Sequence, residues 1–189
     1  MADPDSFPDI LTFAPTISIH VIMARRVPAI MLHSQTPPDY LFTSGKKARY
    51  SEGGIRCIYF SGNEEAAIAE YERVLSPEDR IQPATTFWAE AKLDKVIDLT
   101  DPESLELFGL VQTDLQVTWR LASTPTLTQQ LGTAIANNTS GITAIRYPSE
   151  AMRLIGKTGT NFVIYRDRVV APDSFEIKGP GNTVLQRWP

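Results

Sequence analysis

The run Tyr59-Phe60-Ser61-Gly62-Asn63-Glu64-Glu65-Ala66-Ala67-Ile68-Ala69-Glu70-Tyr71 joins a buried strand to a helix. Ile55–Phe60, apolar apart from Arg56, is short enough to be a strand with both faces covered. Ser61-Gly62-Asn63-Glu64 fits an S-x-x-E capping box, in which a hydroxyl and a carboxylate each satisfy an orphan backbone N–H. Ala67, Tyr71, Val74 and Leu75 then recur at helical spacing and define an inward stripe, ended by Ser76-Pro77. At about 100° per residue, Glu65 and Glu72 point away from that stripe, whereas Glu70 lies on its edge. A carboxylate beside a core is costly unless it is paired or used. On periodicity alone, an edge glutamate reaching water or an arginine is the favoured account.

The same signals read outward. Residues 1–16, with three prolines and several acids, predict an irregular arm. Ile17–Met23 predicts a first strand, and residues 34–54 a long loop carrying Arg49. Thr85–Leu93 and Val96–Leu99 predict a pair of strands separated at Asp94-Lys95. Asp101-Pro102 and Thr124-Pro125 each start a helix, the second running to about Ala136. Gly141–Arg146 and Phe162–Tyr165 predict buried strands; Arg168–Ala171 and Ser174–Lys178 predict weaker ones. Irregularly interleaved strands and helices make the chain α/β or α+β.

Composition excludes several classes. The 189 residues carry a formal net charge of −4, with 42% hydrophobic and 21% charged residues. That suits one globular domain and argues against a nucleic-acid binder, although a small basic pocket for an anion remains open. The longest apolar run, Ile17–Met23, is too short and too interrupted to span a membrane. A lone cysteine, Cys57, allows no intrachain disulfide; with no leader-like segment this leads to the expectation of a reducing cytoplasm. His20 and His33 have no ligand spacing and no role, so no metal site is expected. No Rossmann or P-loop fingerprint is present. Cys57 reads as an inert core residue, and Trp88, Trp119 and Trp188 as packing residues.

Several segments together resemble the RES-domain family. The strand ending in Tyr59-Phe60-Ser61 and the helix reading Ala67-Ile68-Ala69-Glu70 are similar to the family's centre. Gly45-Lys46-Lys47-Ala48-Arg49-Tyr50 stands where the family has a glycine-rich loop with an arginine and an aromatic residue. Val96-Ile97-Asp98-Leu99-Thr100, Gly141–Ser149 with Tyr147-Pro148-Ser149, and Asn161–Tyr165 resemble later elements. The likeness covers roughly residues 17–171, in a single domain of 17–189 that ends in a tail. It implies an ADP-ribosyltransferase-like fold with a central split, mostly antiparallel sheet flanked by helices.

The resemblance also implies a function: an NAD⁺-consuming toxin that cleaves the nicotinamide–ribose bond, as a glycohydrolase or phosphorylase. NAD⁺ would be substrate, with no prosthetic group. The implied partner is a helix-turn-helix, Xre-type antitoxin; a homodimer stays open. Glu70 and Ser149 match the family's glutamate and serine, Tyr59 its strand tyrosine, and Arg49 its loop arginine. The family's first arginine follows an aromatic residue, whereas this chain has Ala24-Arg25-Arg26. Distance to Arg49 favours Arg26, with Arg25 as alternative. In this scheme Arg26 and Arg49 hold the pyrophosphate, Tyr59 stacks on nicotinamide, Glu70 faces the ribose, and Ser149 positions nicotinamide or ribose. Each residue has an ordinary alternative: Ser149 as a helix N-cap, Arg49 as a solvated loop charge, Tyr59 as a strand aromatic. The rival functions are ADP-ribosyl transfer to a protein, a non-catalytic RES-like binding module, and a plain structural domain.

Overall fold

The computed structural model describes residues 3–33, 41–43, 45–76 and 82–189. Its strands are β1 (Ile17–Pro28), β2 (Cys57–Ser61), β3 (Ala84–Asp98), β4 (Ala144–Pro148), β5 (Thr160–Tyr165), β6 (Ser174–Lys178) and β7 (Val184–Trp188). Its helices are α1 (Phe7–Ile10), α2 (Glu64–Arg73), α3 (Pro102–Leu107), α4 (Leu127–Asn137) and α5 (Glu150–Leu154). The sheet runs β1-β2-β5-β4-β3-β6-β7, and β1 also pairs with β3, so five strands close on themselves. All ladders are antiparallel except β3–β4. This is the expected mixed α+β architecture, mostly antiparallel and flanked by helices.

The closure is uneven. β1 and β3 pair from Ile17↔Val96 to Pro28↔Ala84, but β1 meets β2 only at Ala24↔Ser61. Beyond that point β1 and β2 diverge, which is the split on which the site is built. Side chains alternate between two cores. Val163 and Tyr165 of β5 join Phe7, Tyr50, Phe108, Leu131 and Tyr147 on one side. Phe162 and Ile164 join Met23, Phe60, Phe87 and Phe175 on the other.

Several expectations change. Asp94-Lys95 does not break the chain into separate strands. Ile19 faces Leu93 while Ile17 faces Val96, so β3 carries one extra residue there, a β-bulge that keeps both Leu93 and Val96 buried. The helix α2 is capped by Asn63, whose Oδ1 accepts from the Ala66 N–H at 2.8 Å, because Ser61 is still in β2. Its inward face is Ala66 and Ala67; Val74 is exposed, α2 ends at Arg73, and Pro77 lies outside the described residues. Thr126, not Thr124, caps α4, in a capping box with Gln129.

Residues 34–40 and 44 of the expected long loop also lie outside the described ones. Arg168–Ala171 is not a strand. A 3-10 turn covers Arg166–Arg168, and the Arg168 guanidinium donates to the Ala136 carbonyl instead. The sequence pattern does not predict β7; it pairs with β6, and Trp188 stacks on Phe175. The N-terminal arm is ordered into a 3-10 turn and α1. Phe7 is fully buried, its ring edge-on to Phe108 at 6.1 Å, and Asn138 Nδ2 donates to the Pro8 carbonyl at 3.0 Å.

Gly132 lets α4 approach the loop that carries Tyr50. A Cβ there would lie 2.1 Å from the Tyr50 carbonyl oxygen and 2.7 Å from the Tyr165 hydroxyl. Helix propensity alone favours alanine by about 1 kcal/mol. Overpacking against backbone costs about 1–3 kcal/mol or more, so it outweighs that gain. Gly132→Ala is therefore expected to lower the unfolding free energy by a net of about 1 kcal/mol or more, on the order of the overpacking penalty, seen as a lower midpoint in a urea titration. An unchanged or raised midpoint would show that α4 does not press on this loop.

Candidate active site

Glu70 reaches the split because α2 starts directly from β2. Gly62 permits the turn: its N–H donates to the Thr160 carbonyl at 2.8 Å, and a Cβ would meet Thr160 Oγ1 at 2.5 Å. One turn beyond the buried Ala66 comes Glu70, whose side chain is 23% exposed. Its Oε1 accepts from Ser149 Oγ at 2.8 Å, from Asn161 Nδ2 at 2.8 Å and from the Ala151 N–H at 3.4 Å. Its Oε2 faces Arg73 Nη2 at 3.3 Å. Three donors on one oxygen compensate the lost hydration of a half-buried carboxylate and hold its plane.

The donors are themselves fixed. Ser149 caps α5 by accepting from the Met152 N–H at 3.3 Å while its own proton goes to Glu70. The N-cap role and the site role thus belong to one hydroxyl, which can accept and donate together. Asn161 sits opposite Ser61 in the β2–β5 ladder, and Ser61 Oγ donates to Asn161 Oδ1 at 2.8 Å. That bond orients the amide so that its NH₂ group faces Glu70.

Tyr59 borders the same cleft and packs against the core that holds Tyr50 and Tyr147, and its hydroxyl accepts from the Tyr50 N–H at 3.0 Å. Burial pushes the Tyr59 phenol well above its ordinary range. Tyr147 lies against Tyr50, ring centroids 4.8 Å apart. Its phenol is raised chiefly by burial; Glu70 adds to this, and Arg49 and Arg25 oppose it. Both tyrosines are neutral near neutral pH and offer rings rather than charge.

Arg25 bridges the seam where the β1–β2 ladder stops, donating from Nη1 to the carbonyls of Leu41 at 2.5 Å and Tyr59 at 3.2 Å. Burial lowers its pKa from the usual value. Arg26 points to Thr86 Oγ1 at 3.4 Å, and Arg49 donates to the Leu115 carbonyl. All three border the cleft, so Arg49 is not simply a solvated loop charge.

The cleft has a volume of about 530 Å³, within the common range for small-molecule sites of roughly 300–1,000 Å³. Besides these three arginines it is bordered by Lys46, Lys47, Arg73 and Arg120, and Glu70 is the one carboxylate on its wall among the described residues. A chain of net charge −4 has thus gathered cations in one concavity, which concentrates an anionic ligand there. Among the described residues, no cluster of three or more His, Cys, Asp or Glu side chains could hold a metal ion.

A family model, the RES domain, matches residues 25–184. The chain belongs to the RES-domain family. No curated protein matches it. A chain in the crystal structure of the M. tuberculosis MbcT–MbcA toxin–antitoxin complex has the same fold, with a TM-score of 0.59 and 18% identity over 97% of this chain and 91% of that one. No helix among the described residues is long and apolar enough to cross a membrane.

The glutamate, strand tyrosine and loop arginine of the RES pattern border one cleft here, whereas the buried Ser149 stands behind its wall and is tied to it through Glu70. Where the family has an aromatic residue before its first arginine, this chain has Ala24, fully buried in the pair with Ser61. Sequence reasoning assigns no role to Asn161 or Tyr147, although both lie in the stretches that resemble the family. Asn161 carries a usable signal, a polar residue within the otherwise apolar run Asn161-Phe162-Val163-Ile164-Tyr165. Trp119 borders the cleft rather than filling a core, and His20 has a partner, Glu90, at 3.0 Å.

Asn161→Ala removes a donor from Glu70 and the acceptor of the buried Ser61 hydroxyl. The expected loss is about 1–3 kcal/mol of unfolding free energy, read from urea midpoints; a midpoint equal to wild type would mean the Ser61–Asn161–Glu70 chain is not formed.

Proposed function

We propose that the chain cleaves the N-glycosidic bond between nicotinamide and ribose in NAD⁺. The observation that carries this reading is the Glu70 carboxylate. Its Oε1 is occupied by three donors, its Oε2 is shared with the partly exposed guanidinium of Arg73, and both residues border the cation-rich cleft. In the reaction the C1′–N bond breaks, its electron pair stays on the pyridine nitrogen, and neutral nicotinamide leaves. The ribose passes through an oxocarbenium-like state. The oxygen of water or phosphate then bonds to C1′ and loses its proton to solvent. The leaving group is already cationic, so no general acid is needed. The protein has to hold the pyrophosphate and set negative charge beside C1′.

The residues suit those tasks. Arg26 and Arg49 bring guanidinium groups that can meet phosphate oxygens. Arg25 borders the same space but spends Nη1 on two carbonyls, and its role is to close the seam. Tyr59 offers a fixed, neutral ring against which nicotinamide stacks. Glu70 Oε2 accepts a ribose hydroxyl and stabilises the developing positive charge. Ser149 acts here by positioning Glu70 rather than by touching nicotinamide.

The biological reading is that of a toxin that depletes cytoplasmic NAD⁺ and is restrained by an antitoxin. Family membership supports it, as does the likeness to a chain in a complex described as toxin–antitoxin. The partner is a helix-turn-helix protein that covers the cleft.

Incubation of the purified chain with NAD⁺, with and without phosphate, is expected to release nicotinamide. Glu70→Ala is expected to lower the rate by at least about a hundredfold, the scale for losing a key electrostatic group. No release from the folded, partner-free chain contradicts cleavage, and full activity in the variant contradicts the role of Glu70. Products separate the acceptors: ADP-ribose from water, ADP-ribose 1″-phosphate from phosphate, and labelled protein from transfer.

A further inference from the structure

The outer wall of the cleft holds a feature that bond cleavage does not use. Trp119 and Arg120 open a 3-10 turn, Trp119–Leu121, and both border the cleft. The Arg120 guanidinium lies over the indole, 4.8 Å from the ring centre. Trp119 is half-buried and Arg120 exposed. An exposed cation resting on a ring is a weak contact that a flat ligand can replace.

The position of this pair relative to Glu70 can be traced through contacts. Tyr147 feels the charges of both Glu70 and Arg49. Arg49 in turn donates to the carbonyl of Leu115, a buried residue four positions before Trp119. The cleft thus brings together a carboxylate suited to the ribose, guanidinium groups suited to phosphates, and an aromatic–cation pair on the segment that follows the Arg49 contact. NAD⁺ carries a part for each: a ribose bearing nicotinamide, a pyrophosphate, and an adenine base.

We propose that Trp119 is the base-binding subsite of the cleft and takes the adenine of the dinucleotide. The purine lies on the ring face that Arg120 covers in the free protein, and the displaced guanidinium turns to the phosphates. This rests on the reading of the cleft as an NAD⁺ site. Stacking on an indole discriminates between ligands with and without a base, whereas a purely cationic wall does not.

The test is binding rather than turnover. Calorimetric titration of the full chain with ADP-ribose, and with ribose 5-phosphate as a ligand lacking the base, is compared across variants. Trp119→Ala is expected to weaken ADP-ribose by roughly tenfold to a hundredfold, the range for removing one base–aromatic stack, and to leave ribose 5-phosphate unchanged. Trp119→Phe keeps most of the affinity, and Arg120→Ala, which leaves the ring in place, loses at most a few-fold.

Three results overturn the proposal: no ADP-ribose binding by wild type, equal weakening of both ligands in Trp119→Ala, or a loss in Arg120→Ala as large as in Trp119→Ala. A chain that binds ADP-ribose through Trp119 yet releases no nicotinamide from NAD⁺ would overturn the cleavage reading and leave this one standing.

Discussion

Oxygen Oε1 of Glu70 ties three elements together. It accepts from Ser149 at the head of α5, from Asn161 in β5 and from the backbone at Ala151, while Glu70 itself rides on α2. A carboxylate at this depth is tolerable only because those donors replace water. The geometry is asymmetric: Oε1 takes three donors from other elements, whereas Oε2 meets a partly exposed arginine of its own helix, and both of these residues border the cleft. The same hydrogen bonds that hold α2, α5 and β5 in register decide which way the charge points.

The second constraint is the incomplete closure of the sheet. β1 and β2 share a single bridge at Ala24 and Ser61, and beyond it Arg25 substitutes its guanidinium for the missing ladder. A fully paired seam would leave no opening between the strands, and an unbridged one would leave the carbonyls of Tyr59 and Leu41 without that donor. The cleft is thus a product of the topology, and its cations come from the strand, loop and helix segments that border it.

The strand–turn–helix around Glu70 is legible because burial and periodicity act within a dozen residues. The edge position of Glu70 follows from helical geometry, whereas its partners do not: Ser149 and Asn161 are 79 and 91 residues away in the chain. Local chemistry misleads where two signals overlap. Ser61 has the chemistry of a cap, but the strand continues through it and leaves capping to Asn63. Asp94-Lys95 has the chemistry of a break, but a bulge absorbs it in a continuous strand. Trp119 reads as a core or packing residue because indoles usually are, and only the path of the chain between α3 and α4 brings it to the cleft. β7 escapes because its half-exposed residues do not alternate in the way a sheet with one wet face requires. The family resemblance supplies what periodicity lacks, grouping Glu70, Ser149, Tyr59 and Arg49 without any distance being known.

The central claim is that Glu70 presents Oε2 to the ribose while Oε1 stays bound to Ser149 and Asn161. The most direct measurement is a crystal structure of the chain with an uncleavable NAD⁺ analogue whose nicotinamide-bearing ribose oxygen is replaced by carbon. The account predicts a hydroxyl of that ring within hydrogen-bond distance of Oε2, with the bonds from Ser149 and Asn161 to Oε1 intact. An analogue bound away from Glu70, or a carboxylate turned so that Oε1 has left Ser149 and Asn161, would contradict it.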